Sequence, residues 1–354
     1  MNIAVFLPNW IGDAVMATPA VRALRDHYQG ARVVAVVRPY VAGVFGGCDW
    51  FDDVIYMRGK SWQDGTATAA LKLRKIGVDL AVLFPNSFRS ALTAWLGACK
   101  RRVGYARYGR SALLTDALAP VRDAHGKLTP SPVLDAYNLL AVRAGCPDPG
   151  RAITLFTTPE DEADADRVWK GAGLSRCREV ICLNPGAAFG AAKYWPADYF
   201  ASLARDLAEK RGAGVLVLCG PAERPLSQEI AARACHPAVH ALGDQAMPVR
   251  PDGPPLSLGL TKACVRRADL LVTTDSGPRH FAAAFDRPVA TLFGPTFIAW
   301  TETYFPRAVH LQKQVECGPC QRRICPLDHR CMKQLLPAEV FTAAEGLLRL
   351  GKSA

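Results

Sequence analysis

No apolar run in the sequence approaches the roughly 18 residues that a membrane-spanning helix needs. The long ones, such as Val33–Val37 and Leu80–Phe84, are strand-sized. No basic stretch followed by an apolar core opens the chain, which begins on a buried-strand pattern, Ile3 to Leu7. The expectation is therefore an unexported, cytoplasmic protein. There is no Gly-x-Gly-x-x-Gly after a strand, which argues against a nicotinamide or flavin enzyme. His-Glu-x-x-His and Gly-x-Ser-x-Gly are absent too, so zinc-peptidase and serine-hydrolase chemistry have no support. Low-complexity segments and short repeats are also missing.

What is present is an ordinary globular composition of 354 residues, 50% hydrophobic and 21% charged. At roughly 100–200 residues per domain, that length suggests two domains. The formal net charge of +11 favours an anionic partner, either nucleic acid, a phosphorylated substrate or an acidic membrane surface. A plain compositional bias towards arginine is the alternative. Twelve cysteines are many for a cytosolic enzyme. Eight lie scattered in apolar segments and read as small core residues.

Short β-rich runs alternate with longer amphipathic or alanine-rich stretches, the pattern of parallel α/β layers. Strands are expected at Ile3–Leu7, Arg32–Val37, Asp79–Phe84, Val180–Leu183, Val215–Cys219, Leu270–Thr273 and Val289–Phe293. Helices are expected at Asp13–Tyr28, Ser87–Leu96, Ala197–Lys210, Leu226–Cys235 and Pro278–Phe285. The pattern occurs twice, with a linker near Gly145–Glu160; Met247–Pro255, with four prolines, should be a loop. Four strands end in small turns: Leu7-Pro8-Asn9, Phe84-Pro85-Asn86-Ser87, Leu183-Asn184-Pro185-Gly186 and Phe293-Gly294-Pro295-Thr296. Parallel sheets bind ligands outside the carboxyl ends of their strands, so facing halves would bring all four turns to one cleft.

Four stretches could carry chemistry. Asn9-Trp10-Ile11-Gly12-Asp13 joins a strand to a helix. A helix N-terminus favours an ionised Asp13, which could accept a proton from a hydroxyl, unless it is a plain N-cap. Asn184 to Lys193 is a small-residue loop ending in a cation, a physical match to a phosphate cradle, though with no Gly-Lys-Ser/Thr of its own it is not a Walker motif. Thr273 to His280 joins a strand to a helix, with Ser276 and Gly277 placed to receive a diphosphate and Asp275 to orient the loop or bond a sugar hydroxyl. His280 is either a ligand contact or a satisfied buried histidine. Lys100, Arg101, Arg102, Arg107 and Arg110, interleaved with Tyr105 and Tyr108, form a basic cluster that would suit a phosphorylated glycolipid or nucleic acid, or be a solvated face.

Cys317, Cys320, Cys325 and Cys331 form a Cys-x2-Cys-x4-Cys-x5-Cys run with His329 close by. Four thiols could hold a tetrahedral zinc, but the second pair lacks the Cys-x2-Cys spacing of a zinc ribbon. A metal-free compact loop is the preferred reading, since a reducing cytosol disfavours disulfides.

Together, Asn9 to Asp13, Phe84 to Leu92, Pro185-Gly186 through Lys193-Tyr194-Trp195-Pro196, Asp275-Ser276-Gly277 through His280, and Phe293 to Thr296 resemble the lipopolysaccharide heptosyltransferases of glycosyltransferase family 9. The Pro-Asn-Ser-Phe-Arg-Ser segment looks most like type II. The resemblance implies a GT-B fold of two Rossmann-like α/β domains. Residues 1–158 would bind the acceptor, 159–336 the nucleotide sugar, and a C-terminal helix in 337–354 would return to the first domain. It implies inverting transfer from ADP-heptose to a phosphorylated Kdo-lipid A inner core at the cytoplasmic face of the inner membrane, with no cofactor, catalytic metal or nucleic acid. By motif position Asp13 would be the general base. Lys193, Glu223, Asp275, Ser276, Gly277 and His280 would bind the donor. Asn9, Trp10, Asn86, Ser87, Arg89, Arg101 and Arg102 would bind the acceptor. Two departures stand out: Gly186-Ala187-Ala188 lacks the Thr or Glu common there, and Arg279 replaces a usual Met, Leu or Ser. Other readings are a family 9 enzyme with another donor or acceptor, a non-catalytic carbohydrate binder, or a nucleic-acid-binding protein.

Overall fold

The computed structural model describes residues 1–59, 62–244 and 256–350. The expected loop Met247–Pro255 lies outside the described residues.

The first unit comprises 1–155 with 299–304. Its strands are β1 (Asn2–Phe6), β2 (Arg32–Val37), β3 (Asp53–Tyr56), β4 (Leu80–Leu83), β5 (Arg101–Tyr105) and β6 (Asp116–Leu118). They pair in parallel in the order β3-β2-β1-β4-β5-β6. β1, β2 and β4 are near-continuous apolar runs because helices cover both faces of such a sheet.

The second unit comprises 156–298 with 305–354. Its strands are β7 (Val180–Asn184), β8 (Gly214–Val217), β9 (Val239–Ala241), β10 (Leu270–Thr274), β11 (Val289–Phe293) and β12 (Ala308–Gln312). Their order, β12-β11-β10-β7-β8-β9, repeats the topology of the first sheet. Each sheet reverses winding beside its first strand, between β1 and β4 and between β7 and β10. Open α/β sheets bind ligands at that switch point, outside the carboxyl ends of the strands.

One expectation needs correction. The stretch Asp13–Tyr28 forms two helices, Ile11–Met16 and Thr18–His27, with Pro19 opening the second. The C-terminal helix Pro337–Leu350 packs within the second unit. Val340, Ala344, Leu347 and Leu348 belong to the core of the second unit, among Phe200, Leu203 and Leu207 of the helix Ala197–Arg211. The segment that belongs with the first unit is 299–304. There the Tyr304 hydroxyl donates to Asp135 at 2.6 Å, and the Arg151 guanidinium stacks 3.7 Å from the Tyr304 ring.

Candidate active site

In the first unit the β1 turn carries Asn9, Trp10 and Asp13. Arg38 Nε donates to Asn9 Oδ1 at 3.2 Å, and the Tyr40 hydroxyl to the Asn9 carbonyl at 2.5 Å. Trp10 is the helix N-cap residue and is 44% exposed. Asp13 sits in the first turn, half-buried, and so is not the cap. The buried Tyr137, on the helix Val133–Ala144, hydrogen-bonds the Asp13 carboxylate. Burial, then the charge of Asp13 and that bond, hold the Tyr137 hydroxyl well above its usual range, so it stays a donor. Phe84, just beyond β4, packs edge-on to Tyr137 at 5.1 Å. One aromatic pair thus links the two turns of the switch point.

The β4 turn carries Asn86, Ser87 and Arg89. Ser87 caps the helix Phe88–Leu96, its hydroxyl accepting from the Ser90 N–H at 3.2 Å. Arg89 turns aside: its Nε donates to Thr66 Oγ1 at 2.7 Å. The basic cluster Lys100–Arg110 is not one patch. Arg101 and Arg102 open β5, whereas the Asp13 and Asn86 turns lie beyond the carboxyl ends of neighbouring parallel strands. Arg101 pairs with Asp116 at 3.0 Å and donates to the Ala144 and Arg143 carbonyls. Arg102 donates to the Leu113 and Cys99 carbonyls. These two arginines are therefore not brought together with the other expected acceptor residues. Arg110, by contrast, is fully buried behind the β4 turn.

In the second unit, the expected donor residues gather at the carboxyl ends of β7, β8 and β10. The Lys193 ammonium donates to the Asp275 carbonyl at 2.9 Å and to its carboxylate at 2.5 Å. Arg279 approaches the other Asp275 oxygen at 3.7 Å, and Thr296 Oγ1 donates to Oδ2 at 2.7 Å. Burial would raise the Asp275 pKa, but Lys193 and Arg279, with these hydrogen bonds, leave it below the usual carboxylate range. Two buried cations thus face one buried carboxylate, which leaves the site suited to an anion. Asn184, at the end of β7, donates to Thr273 Oγ1 at 3.0 Å and Ser276 Oγ at 2.9 Å. The Thr274 hydroxyl donates to the Gly186 carbonyl at 2.7 Å. Glu223 accepts from the Gly220 N–H at 3.0 Å and lies so close to Gly186 that an added Cβ would sit 2.0 Å from Oε1. Gly277 leads the chain into the helix Pro278–Ala284.

His280 is 2% exposed, and its Nδ1 has no hydrogen-bond partner among the described residues. Burial first, then the charge of Arg279, push its pKa well below 6.5. It is therefore a neutral imidazole, one residue from Arg279 at the second switch point. The linkage has a definite sign: below about pH 6.5 the unfolded chain takes up a proton that folded His280 refuses, so stability falls as pH falls. Thermal melts from pH 7.5 to 5.5 should show a steeper loss for the native chain than for His280→Asn. Equal slopes would contradict the neutral, buried histidine.

The four-cysteine loop braces the loop that carries Lys193. The Arg323 carbonyl accepts from the Ala192 N–H at 3.0 Å, and His329 Nε2 lies 2.7 Å from the Ala192 carbonyl. The Arg323 guanidinium and the Lys193 ammonium both lie against the Phe189 ring, at 5.5 and 4.8 Å. Among the described residues, no group of three or more His, Cys, Asp or Glu is arranged to hold a metal ion. Gly190 has φ +153°, and a Cβ there would lie 2.4 Å from the Arg323 carbonyl oxygen. Gly190→Ala should therefore cost about 1–3 kcal/mol of stability and weaken ADP binding. Thermal melts with and without ADP would test both; an unchanged response to ADP would separate this loop from the donor site.

Sequence reasoning missed Tyr137, gave Asn184 and Thr296 no role of their own, and named Arg279 only as a departure. Asn184 and Thr296 stand in turns that were singled out, so their position was the available signal. Tyr137 had none, since it reaches Asp13 from a helix more than a hundred residues away.

The model of glycosyltransferase family 9 (heptosyltransferase) matches residues 68–330. Lipooligosaccharide heptosyltransferase 2 of Campylobacter jejuni serotype O:2 is 28% identical over 99% of each chain. Lipopolysaccharide heptosyltransferase 2 of Salmonella typhimurium is 28% identical over 84% of this chain and 83% of its own. The solved E. coli ADP-heptose lipopolysaccharide heptosyltransferase II superposes with a TM-score of 0.78 at 24% identity, covering all of both chains. That likeness, with the two parallel six-stranded sheets, establishes the GT-B fold. The chain belongs to glycosyltransferase family 9, the heptosyltransferases.

Proposed function

We propose that the protein transfers L-glycero-D-manno-heptose from ADP-heptose to the heptosyl-Kdo inner core of lipopolysaccharide, with inversion and without a catalytic metal. The observation that carries this reading is the buried Lys193–Asp275–Arg279 cluster at the second switch point, an anion-seeking site in a family 9 chain. The acceptor hydroxyl gives its proton to Asp13 as its oxygen bonds to the anomeric carbon. The bond from that carbon to the diphosphate breaks, and ADP leaves with the electron pair. Direct displacement from the opposite face inverts the configuration. Lys193 and Arg279, both buried, offset the charge that grows on the diphosphate, an electrostatic effect that burial strengthens. Glu223, against Gly186, bonds the ribose. Asp275 holds Lys193 in place, Ser276 and Gly277 line the diphosphate, and neutral His280 borders it.

Asn9, Trp10, Asn86 and Ser87 receive the acceptor sugar, and Arg89 supports that side from the Thr66 segment. Trp10 and Phe88, 44% and 48% exposed, suit an amphiphilic acceptor. No described helix is long and apolar enough to cross a membrane, so the reading places the enzyme peripherally at the cytoplasmic face of the inner membrane. The test is a thermal-shift screen of nucleotide sugars, followed by transfer to heptosyl-Kdo-lipid A. ADP-heptose should raise the melting temperature and be consumed. Stabilisation by another nucleotide sugar alone, or by none, would sink the assignment.

A further inference from the structure

Arg110 is 0% exposed and, among the described residues, has no carboxylate as a hydrogen-bond partner. Its Nε donates to the Tyr105 carbonyl at 2.9 Å. One terminal nitrogen donates to the Pro85 carbonyl, to the Ser87 carbonyl at 3.3 Å and to Ser90 Oγ at 3.1 Å. The other donates to Asn86 Oδ1 at 3.1 Å. Gly104 makes the room, since a Cβ there would come within 3.2 Å of that nitrogen. A buried guanidinium ordinarily demands a counter-ion, because its desolvation costs several kcal/mol. Here burial and the like charge of Arg107 push the pKa down to about 10, which still leaves the group charged at neutral pH.

The contacts have a chemical consequence at the surface of the turn. Arginine can only donate, so the Asn86 amide must offer it the oxygen, and its two N–H bonds must face away from the guanidinium. The Pro85 and Ser87 carbonyls are likewise drawn towards Arg110. A turn that spends its oxygens inward, with a positive charge behind it, is matched to a ligand that brings oxygens and negative charge.

We propose that Arg110 is a positioning residue that turns the Pro85–Ser90 segment into an oxyanion subsite, read by the Asn86 amide N–H groups and taking a phosphate or carboxylate of the acceptor. This rests on the reading that the first unit binds the acceptor. The discriminating variant is Asn86→Asp. It gives Arg110 the carboxylate it lacks, so the fold should hold, yet it removes the outward N–H groups and cancels the charge. Arg110→Lys keeps the charge but loses the fork that sets the amide.

The experiment measures transfer by the full chain to heptosyl-Kdo-lipid A, with and without its phosphates, beside the KM for ADP-heptose. Asn86→Asp should raise the acceptor KM about tenfold or more and leave the donor KM and the melting temperature unchanged. Arg110→Lys should move the acceptor KM in the same direction. If removing the phosphates abolishes the difference between Asn86→Asp and the native chain, phosphate is the ligand; if the difference persists, the carboxylate is. An acceptor KM within twofold of native in Asn86→Asp, or donor and acceptor KM rising together, would overturn the proposal. Failure of the native chain to transfer at all would instead overturn the acceptor reading beneath it.

Discussion

Asp13→Asn is expected to leave the fold and ADP-heptose binding intact while transfer falls about a hundredfold or more. The substitution keeps the size of the side chain. It does not remove a helix cap, because Trp10 holds that position. The Asn oxygen can still accept the Tyr137 hydrogen bond, so the local packing has no reason to change. What is lost is the ability to take a proton at neutral pH. The measurements are kcat under saturating donor and acceptor, the donor KM and the melting temperature. A variant that transfers at the native rate would leave Asp13 without a chemical role.

Loss of Lys193 should do more than weaken donor binding. Lys193→Ala leaves the Asp275 carboxylate, 5% exposed, with one cation 3.7 Å away instead of two. Breaking a buried ion pair from one side typically costs about 3–5 kcal/mol. The variant should therefore melt well below the native protein as well as bind ADP poorly. The double variant Lys193→Met with Asp275→Asn removes both charges and should regain most of the stability without regaining ADP affinity. Recovery of both would mean that the ammonium only neutralises Asp275. Recovery of neither would mean that the network depends on more than this pair.

The sheet was legible where strands are apolar on both faces. Arg32–Val37 and Val289–Phe293 were read to the residue because turn signals bound each continuous run. β5 was hidden because two charges open it: Arg101 pairs with Asp116, and Arg102 donates to the Leu113 and Cys99 carbonyls. β3, β6, β9 and β12 are short or half-exposed edge elements with weak patterns. The candidate donor site was legible because its residues stand in loops directly after buried strands, where topology converges. Its charge balance was not: nothing in the spacing said that Lys193 would spend its bonds on Asp275. The same holds for Arg110, which looked like one of a run of surface cations. The chain turns it inward because Gly104 leaves a space and the turn supplies oxygens. Cysteines followed their neighbourhoods, so that Cys99, Cys182 and Cys264 are buried, while Cys235 ends a helix in a left-handed conformation and is exposed.

The assignment of 299–304 to the first unit bears on how the chain is made. A ribosome delivers residues 1–155 first, but the first unit still lacks Tyr304, whose ring and hydroxyl engage Arg151 and Asp135. Nearly all of the second sheet, β7 to β11, emerges before that piece arrives. The nascent first unit must therefore wait with its Asp135–Arg151 pair, formed at 3.1 Å, not yet covered by Tyr304. A fragment cut at the linker would stay in that waiting state permanently.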